Sequence, residues 1–257
     1  METVTEHLKD INSGVPELGV VSTPSARQNI GSTVVLLAAS CMLSLVVQKY
    51  RRGQTQAADD AVRDVVQPAR NPALDFAARP VTVLSIPIVV VSATAALVWW
   101  LHREGRKAAA YAVAFAPVAA ATLGQGFTSF LHQQRNPPDK AEAPTGAAVE
   151  ASFPSGHTAG VTAEALAIGY ILQNEGLSSP TVLAALVGWP LLVGVTRVYR
   201  DRHWASDVLA GWLAGTAVAA AAALLYAGLR TPAAGPAPAS EGEGENRMVA
   251  LQPQASQ

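Results

Sequence analysis

Cysteine, aromatic residues and charge are all scarce in this sequence of 257 residues. The single cysteine, Cys41, excludes an internal disulfide and a cysteine metal cluster, and we expect it to be a small buried side chain in an apolar run. Charged residues make up 14% of the chain, and the net charge of -1 gives no reason to expect a nucleic-acid partner. Since 50% of the residues are hydrophobic, the composition is typical of a membrane protein.

Long apolar runs determine the predicted fold. Six of them approach the roughly 20 residues that a helix needs to cross the hydrocarbon core of a bilayer. They cover residues 30–48, 81–101, 108–131, 157–173, 180–197 and 205–228. The fourth run is short and carries Glu164, which makes it the least secure span. We therefore expect an all-α membrane protein, a bundle of six transmembrane helices.

The sequence predicts two polar ends around this bundle. Residues 1–27 form a polar N-terminal extension without a cleavable signal peptide, and residues 28–229 form the six-helix domain. Residues 230–257 are rich in Pro, Gly and Ser without periodicity, which predicts a disordered tail. Between the first two runs, the stretch AADDAVRDVV predicts a short amphipathic helix at the membrane surface.

Polar residues collect in three stretches beside the apolar runs. These are GQGFTSFLHQQRNPPDK after the third run, SFPSGHTAGVTAE at the start of the fourth, and TRVYRDRHWASD between the fifth and sixth. In the first stretch Gln125, Thr128, His132 and Arg135 lie three or four residues apart, which predicts one polar stripe on a helix face. The loops after spans one, three and five of a six-span protein emerge on the same side. We therefore expect the three stretches to form one active site at one membrane face.

The third stretch contains a pair that can activate a histidine. His203 and Asp207 are four residues apart, so they stack on adjacent turns at the start of the sixth span. A carboxylate in that position can accept the imidazole N–H and fix the tautomer. Arg197, six residues before His203, offers a planar and permanently charged fork for phosphate oxygens.

The second stretch predicts an anion site at a helix start. The Ser155-Gly156 turn offers backbone N–H groups and a hydroxyl, and the helix dipole favours an anion there. His157 then lies beside the anion, where it can protonate a leaving oxygen, and Arg135 adds a second cation. Such a set of side chains suits phosphoryl transfer through a covalent phosphohistidine, with cations and N–H donors in place of a metal ion.

These residues resemble the signatures of the type 2 phosphatidic acid phosphatase (PAP2) superfamily. Pro154-Ser155-Gly156-His157 reproduces its Pro-Ser-Gly-His signature. Thr196-Arg197, five residues, His203, three residues and Asp207 reproduce Ser-Arg-x5-His-x3-Asp, with Thr in the Ser position. The resemblance covers roughly residues 30–228, so it includes nearly all of the predicted bundle.

The resemblance also implies a role for each candidate residue. His203 is then the nucleophile, Asp207 its partner and His157 the general acid. The phosphate is bound by Arg135, Arg197, Ser155 and Gly156. The first family signature, Lys-x6-Arg-Pro, is altered: RNPP replaces Arg-Pro, and Thr128 stands where the Lys is expected, or Ser129 if the register moves by one residue.

The function that we expect is that of an integral membrane phosphatase acting on a lipid phosphate or diphosphate, without a metal or another cofactor. Two alternatives remain open. One is a lipid phosphotransferase in which an alcohol attacks the phosphohistidine, and the other is a weakly active relative that binds lipid. The basic segment HREGRK between spans two and three favours the cytoplasmic side, so we expect a bacterial plasma-membrane location with the active site facing outward, as in bacterial relatives. The segment QKYRRG after span one is also basic and lies on the active-site side, so the count of Lys and Arg leaves the opposite orientation open.

Overall fold

The protein is described by a computed structural model covering residues 26–131, 135–138 and 152–230. Within these residues the fold is entirely helical, as the sequence predicts. The predicted N-terminal extension up to residue 25, His132 and the predicted tail from residue 231 lie outside the described residues.

Eight α-helices and one 3₁₀ turn make up the described part of the chain. The helices are α1 (Ala26–Arg51), α2 (Gln56–Val66), α3 (Pro72–Leu84), α4 (Pro87–Arg103), α5 (Lys107–Phe130), α6 (Gly156–Asn174), α7 (Pro180–Tyr199) and α8 (Ala205–Arg230), with the 3₁₀ turn at Gln67–Ala69.

Local sequence signals explain several of the helix ends. The Asn71 side chain accepts a hydrogen bond from the Leu74 N–H at 3.0 Å and so caps α3, whose first residue is a proline. Ser179 caps α7 in the same way, again before a proline. At the end of α4, Gly105 adopts a φ of 75°, a left-handed conformation that glycine tolerates best.

In the described part of the chain, fewer helices than the six predicted from the sequence are long and apolar enough to span a membrane. Among the described residues, α1, α5, α7 and α8 are long and apolar enough to cross a membrane, and α3 with α4 makes a fifth span if the bent pair counts as one. Helix α6 is not among them, so the six-span count stays a prediction. Because α6 lies inside the bundle, in contact with α5, α7 and α8, its sequence does not have to be uniformly apolar.

The predicted second span, 81–101, is interrupted. Helices α3 and α4 meet at an angle of 48° around Ser85 and Ile86. Pro87 lacks an N–H group and its ring clashes with the carbonyl of the preceding turn, which favours a new helix start at this position. Ser85 and Pro87, at this break, line the cavity described below.

Close packing of α8 on α6 depends on two glycines. A Cβ at Gly211 would lie 2.9 Å from the Ser155 carbonyl oxygen, and one at Gly215 would lie 2.5 Å from the Thr162 Cβ. Two small residues four positions apart let helix backbones approach closely in a membrane. The contact brings the turn before α6 against the start of α8, where candidate site residues lie.

The environment of Cys41 differs from the prediction. Its side chain is exposed on α1, whose buried residues are Ala39, Leu43 and Val47. These three positions repeat every four residues and so face the bundle, which leaves Cys41 on the opposite side. The expectation of a buried cysteine was wrong because α1 is apolar all round and its sequence does not mark the inner face.

The short helix predicted between the first two spans is present as α2. Arg63 of α2 donates to both carboxylate oxygens of Asp201, at 2.9 and 3.0 Å, in the loop between α7 and α8. Asp59 of α2 accepts from both the N–H and the hydroxyl of Ser206, each at 2.8 Å. Helix α2 therefore holds the loop that carries His203 and the first turn of α8.

Candidate active site

His203 is held by a backbone carbonyl. Its Nδ1 lies 3.0 Å from the carbonyl oxygen of Ser152 and 3.6 Å from Oδ2 of Asp207. A carbonyl can only accept, so Nδ1 carries the proton and Nε2 carries the lone pair. The sequence predicted that Asp207 would accept this proton, whereas the shorter contact is to Ser152. The predicted tautomer is the same, with a different group fixing it.

Asp207 instead organises the residues around the imidazole. Its side chain is fully buried, and Oδ2 accepts from the Ser152 hydroxyl at 2.5 Å and from the Trp204 N–H at 3.0 Å. Its backbone carbonyl accepts from the Ser155 N–H at 3.0 Å. Asp207 thus joins His203 to the start of α6, and it places a negative charge within 4 Å of the ring.

The Ser155-Gly156 turn starts α6 as predicted, with Ser155 as the N-cap residue. Because the Ser155 N–H is bound to Asp207, the available N–H groups are those of the first turn, which begins at Gly156. The Ser155 hydroxyl is buried and accepts from the Thr158 hydroxyl at 3.0 Å, so its own proton points elsewhere. The helix end can therefore present N–H donors to an anion in the cavity, which Gly156 lines, while the Ser155 hydroxyl is fully buried beside them.

His157 and Arg197 are in direct contact. The Arg197 guanidinium lies 3.3 Å from Nδ1 of His157. Since a guanidinium has no acceptor, Nδ1 accepts and the ring proton lies on Nε2. Arg197 is buried near the end of α7. Because little water reaches its guanidinium, its charge acts strongly on the groups beside it.

The Arg135 side chain contacts α2 and the ring of Trp204. Helix α5 ends at Phe130, so the predicted polar stripe does not extend to Arg135 on the same helix. Its guanidinium forms an ion pair with Asp59 and lies 4.5 Å from the centre of the Trp204 ring. Arg135 therefore reaches the site through Trp204, the neighbour of His203, while its charge is balanced by a buried carboxylate.

One cavity connects the two histidines to the apolar interior. It has a volume of about 570 Å³, within the range of ligand pockets, and His157 and His203 both line it. Apolar and small residues of α4, α5 and α6 form most of its wall, together with Glu164 and, from α5, Gln125 and Thr128. Thr128 is the residue that replaces the expected Lys. Its hydroxyl donates to its own helix at Gly124, so the wall carries no cation there.

Two residues that organise the site were not identified from the sequence. Ser152 orients His203 through its carbonyl and Asp207 through its hydroxyl, and its position two residues before Pro154 was the one available signal. Asp59 bridges Ser206 and Arg135 from a helix that has no motif. Within the described residues, no group of three or more His, Cys, Asp or Glu side chains is arranged to hold a metal ion.

Comparison with known proteins agrees with this geometry. Residues 117–230, from the middle of α5 to the end of α8, match the PAP2 superfamily, which confirms the resemblance seen in the motifs. The fold is similar to a transmembrane PAP2-type phosphatidylglycerolphosphate phosphatase from Bacillus subtilis, with a TM-score of 0.60 and 19% identity over 76% of this chain and 92% of that one. A second structure, LpxE from Aquifex aeolicus, gives a TM-score of 0.48 and 23% identity over 63% of this chain and 92% of that one. No curated protein sequence matches significantly.

Proposed function

Because residues 117–230 match the PAP2 superfamily, we propose that this integral membrane protein is a phosphatase acting on a lipid phosphate or diphosphate. One observation carries the proposal: His157 and His203 line one part of a cavity whose remaining wall is mostly apolar. Such a cavity suits an amphipathic substrate, with its phosphate at the histidines and its lipid part between the helices. The name of the Bacillus subtilis structure, a phosphatidylglycerolphosphate phosphatase, supports the same substrate class.

The first chemical step is attack by His203 on phosphorus. The lone pair on Nε2 forms the N–P bond while the bond from phosphorus to the lipid oxygen breaks. The ring becomes positively charged as the bond forms, and the carboxylate of Asp207, 3.6 Å from Nδ1, stabilises that charge. Ser152 keeps the ring in the reactive tautomer through the 3.0 Å contact of its carbonyl.

His157 gives a proton to the departing lipid oxygen. For this role the ring must be protonated on both nitrogens, which the contact from Arg197 to Nδ1 opposes. The substrate phosphate therefore draws the Arg197 guanidinium to its own oxygens, and Nδ1 becomes free to take up a proton. In the second step water attacks the phosphohistidine, His157 accepts the proton of that water, and inorganic phosphate leaves.

Phosphate binding involves Arg197, the Ser155 hydroxyl and the N–H groups of the turn that begins at Gly156. Arg135 contributes a positive charge that the carboxylate of Asp59 balances in part. These donors take the place of a metal ion, so chelation is expected to leave activity unchanged. Loss of activity in EDTA, restored by magnesium, would contradict metal independence.

The direct test is release of phosphate by the purified protein in detergent. The substrates are phosphatidic acid, phosphatidylglycerol phosphate and a polyprenyl diphosphate, and His203→Ala is the inactive control. Release without an alcohol acceptor supports hydrolysis. Release only when an alcohol is added would indicate a phosphotransferase, and lipid binding without any turnover would indicate a lipid-binding relative.

We further propose that the site faces outward across a bacterial plasma membrane. The basic segment HREGRK, residues 102–107, includes the short turn between α4 and α5 and favours the cytoplasmic side for that end of the bundle. The test uses Cys41→Ser with a new cysteine at Gln54, near the site, or at Glu104, at the other end. An impermeant thiol reagent should label only the Gln54 variant in intact cells, and the reverse pattern would overturn the orientation.

A further inference from the structure

Glu164 is an acidic residue of the cavity that the proposed reaction does not use. It lies on α6 seven residues after His157, which is two helical turns or about 10 Å further along the helix. Its side chain lines the same cavity as the two histidines, although the residue is only 6% exposed. A substrate whose phosphate lies at the histidines therefore extends past this carboxyl group.

The carboxyl group of Glu164 lacks a partner in the described part of the chain. Its Oε2 is buried and receives no hydrogen bond there. Other buried carboxylates outside the active site are paired: Asp59 with Ser206, Asp201 with Arg63, and Glu175 with Arg106. A buried acceptor without a donor destabilises the protein, so its retention next to a cavity points to a ligand that supplies the donor.

We propose that Glu164 accepts a hydrogen bond from a hydroxyl or amide N–H in the lipid part of the substrate. The proposal rests on the phosphatase function above and narrows its substrate class. The position of Glu164 places the donor up to about 10 Å from the phosphate. Lipid phosphates with such a donor are preferred over those whose lipid part is pure hydrocarbon, such as a polyprenyl phosphate.

The test compares two phosphatidic acids that differ by one group, a 3-hydroxyl on the sn-2 acyl chain. That hydroxyl is about eight bonds from phosphorus, a separation comparable to the two turns between His157 and Glu164. The measurement is kcat/KM for phosphate release in mixed micelles. One added hydrogen bond to the Glu164 carboxyl group predicts that the wild type prefers the hydroxylated lipid by roughly two- to tenfold.

Three variants test whether Glu164 causes the preference for the hydroxylated lipid. Glu164→Leu should lower the preference to about one, and Glu164→Gln, which keeps an acceptor oxygen, should retain part of it. Gln173→Ala is the matched control, because this exposed residue lies on the same helix as Glu164 outside the cavity and should leave the preference unchanged.

The outcomes separate this proposal from the function on which it rests. Equal turnover of both lipids by the wild type, or a preference that survives in Glu164→Leu, would overturn the role of Glu164 while the phosphatase function stands. Absence of phosphate release from either lipid and from the wider substrate panel would overturn both. A purely structural role would change thermal stability and total activity, and it would leave the ratio between the two lipids unaltered.

Discussion

The negative charge of Asp207 should be more important to turnover than its hydrogen bonds. Both groups that bond to its Oδ2, the Ser152 hydroxyl and the Trp204 N–H, are donors. The amide oxygen of an Asn can accept from both, so Asp207→Asn preserves these contacts and removes the charge. The Ser152 carbonyl also keeps its contact with His203 in this variant, so the orientation of the ring should be maintained.

The expected loss follows from the distance between the carboxylate and the ring. A unit negative and a unit positive charge 3.6 Å apart interact with about 4.6 kcal/mol at an effective dielectric constant of about 20. If the whole of this interaction energy lowered the activation free energy, the rate would change roughly 2,000-fold. Because the ring carries only part of its charge in the transition state, we predict that Asp207→Asn lowers kcat by about 10²–10³-fold on every substrate.

The assay is phosphate release from a lipid phosphate and from nitrophenyl phosphate at saturating substrate. Asp75→Asn is the matched control, because that carboxylate is on the exposed side of α3 and 3.7 Å from Arg70. It should change kcat by less than about twofold, as is usual for a surface substitution. If Asp207→Asn also stays within threefold of the wild type while folded, the charge is not required and the electrostatic argument is refuted.

Three further variants test other parts of the structure. His157→Ala should lose about 10²–10⁴-fold on a lipid phosphate and much less on nitrophenyl phosphate, whose phenol leaves without a proton; equal losses would exclude a general acid. Gly215→Ala should lower Tm in detergent, because its Cβ would lie 2.5 Å from a neighbouring side-chain carbon and overpacking costs about 1–3 kcal/mol; Gly228→Ala on the same helix has open space and should not. Asp59→Ala should lower Tm, by about 1–3 kcal/mol in stability, because it removes the partner of Arg135 and both acceptors of Ser206. Similar Tm values for this variant and Asp60→Ala, its more exposed neighbour, would argue against the bridge.

Much of the architecture could be predicted from the sequence because its causes are local. Apolar runs of sufficient length become helices, and Asn71 and Ser179 before prolines mark two of the helix starts. Counting the runs placed the three polar stretches at one end of the bundle, where His157, Arg197 and His203 are found together. The spacing of His203 and Asp207 also predicted their proximity, since four residues make about one turn.

The tertiary structure decided which atoms meet. The carbonyl of Ser152 holds His203 from 51 residues away, and Asp59 pairs with Arg135 across 76. No periodicity encodes such contacts, because they depend on how segments that are distant in the sequence pack together. The close approach of α6 and α8 at Gly211 and Gly215 is one example. The outward position of Cys41 and the unpartnered carboxyl group of Glu164 have the same origin. In a helix without a marked polar face, only packing against neighbouring helices determines which side chains face inward.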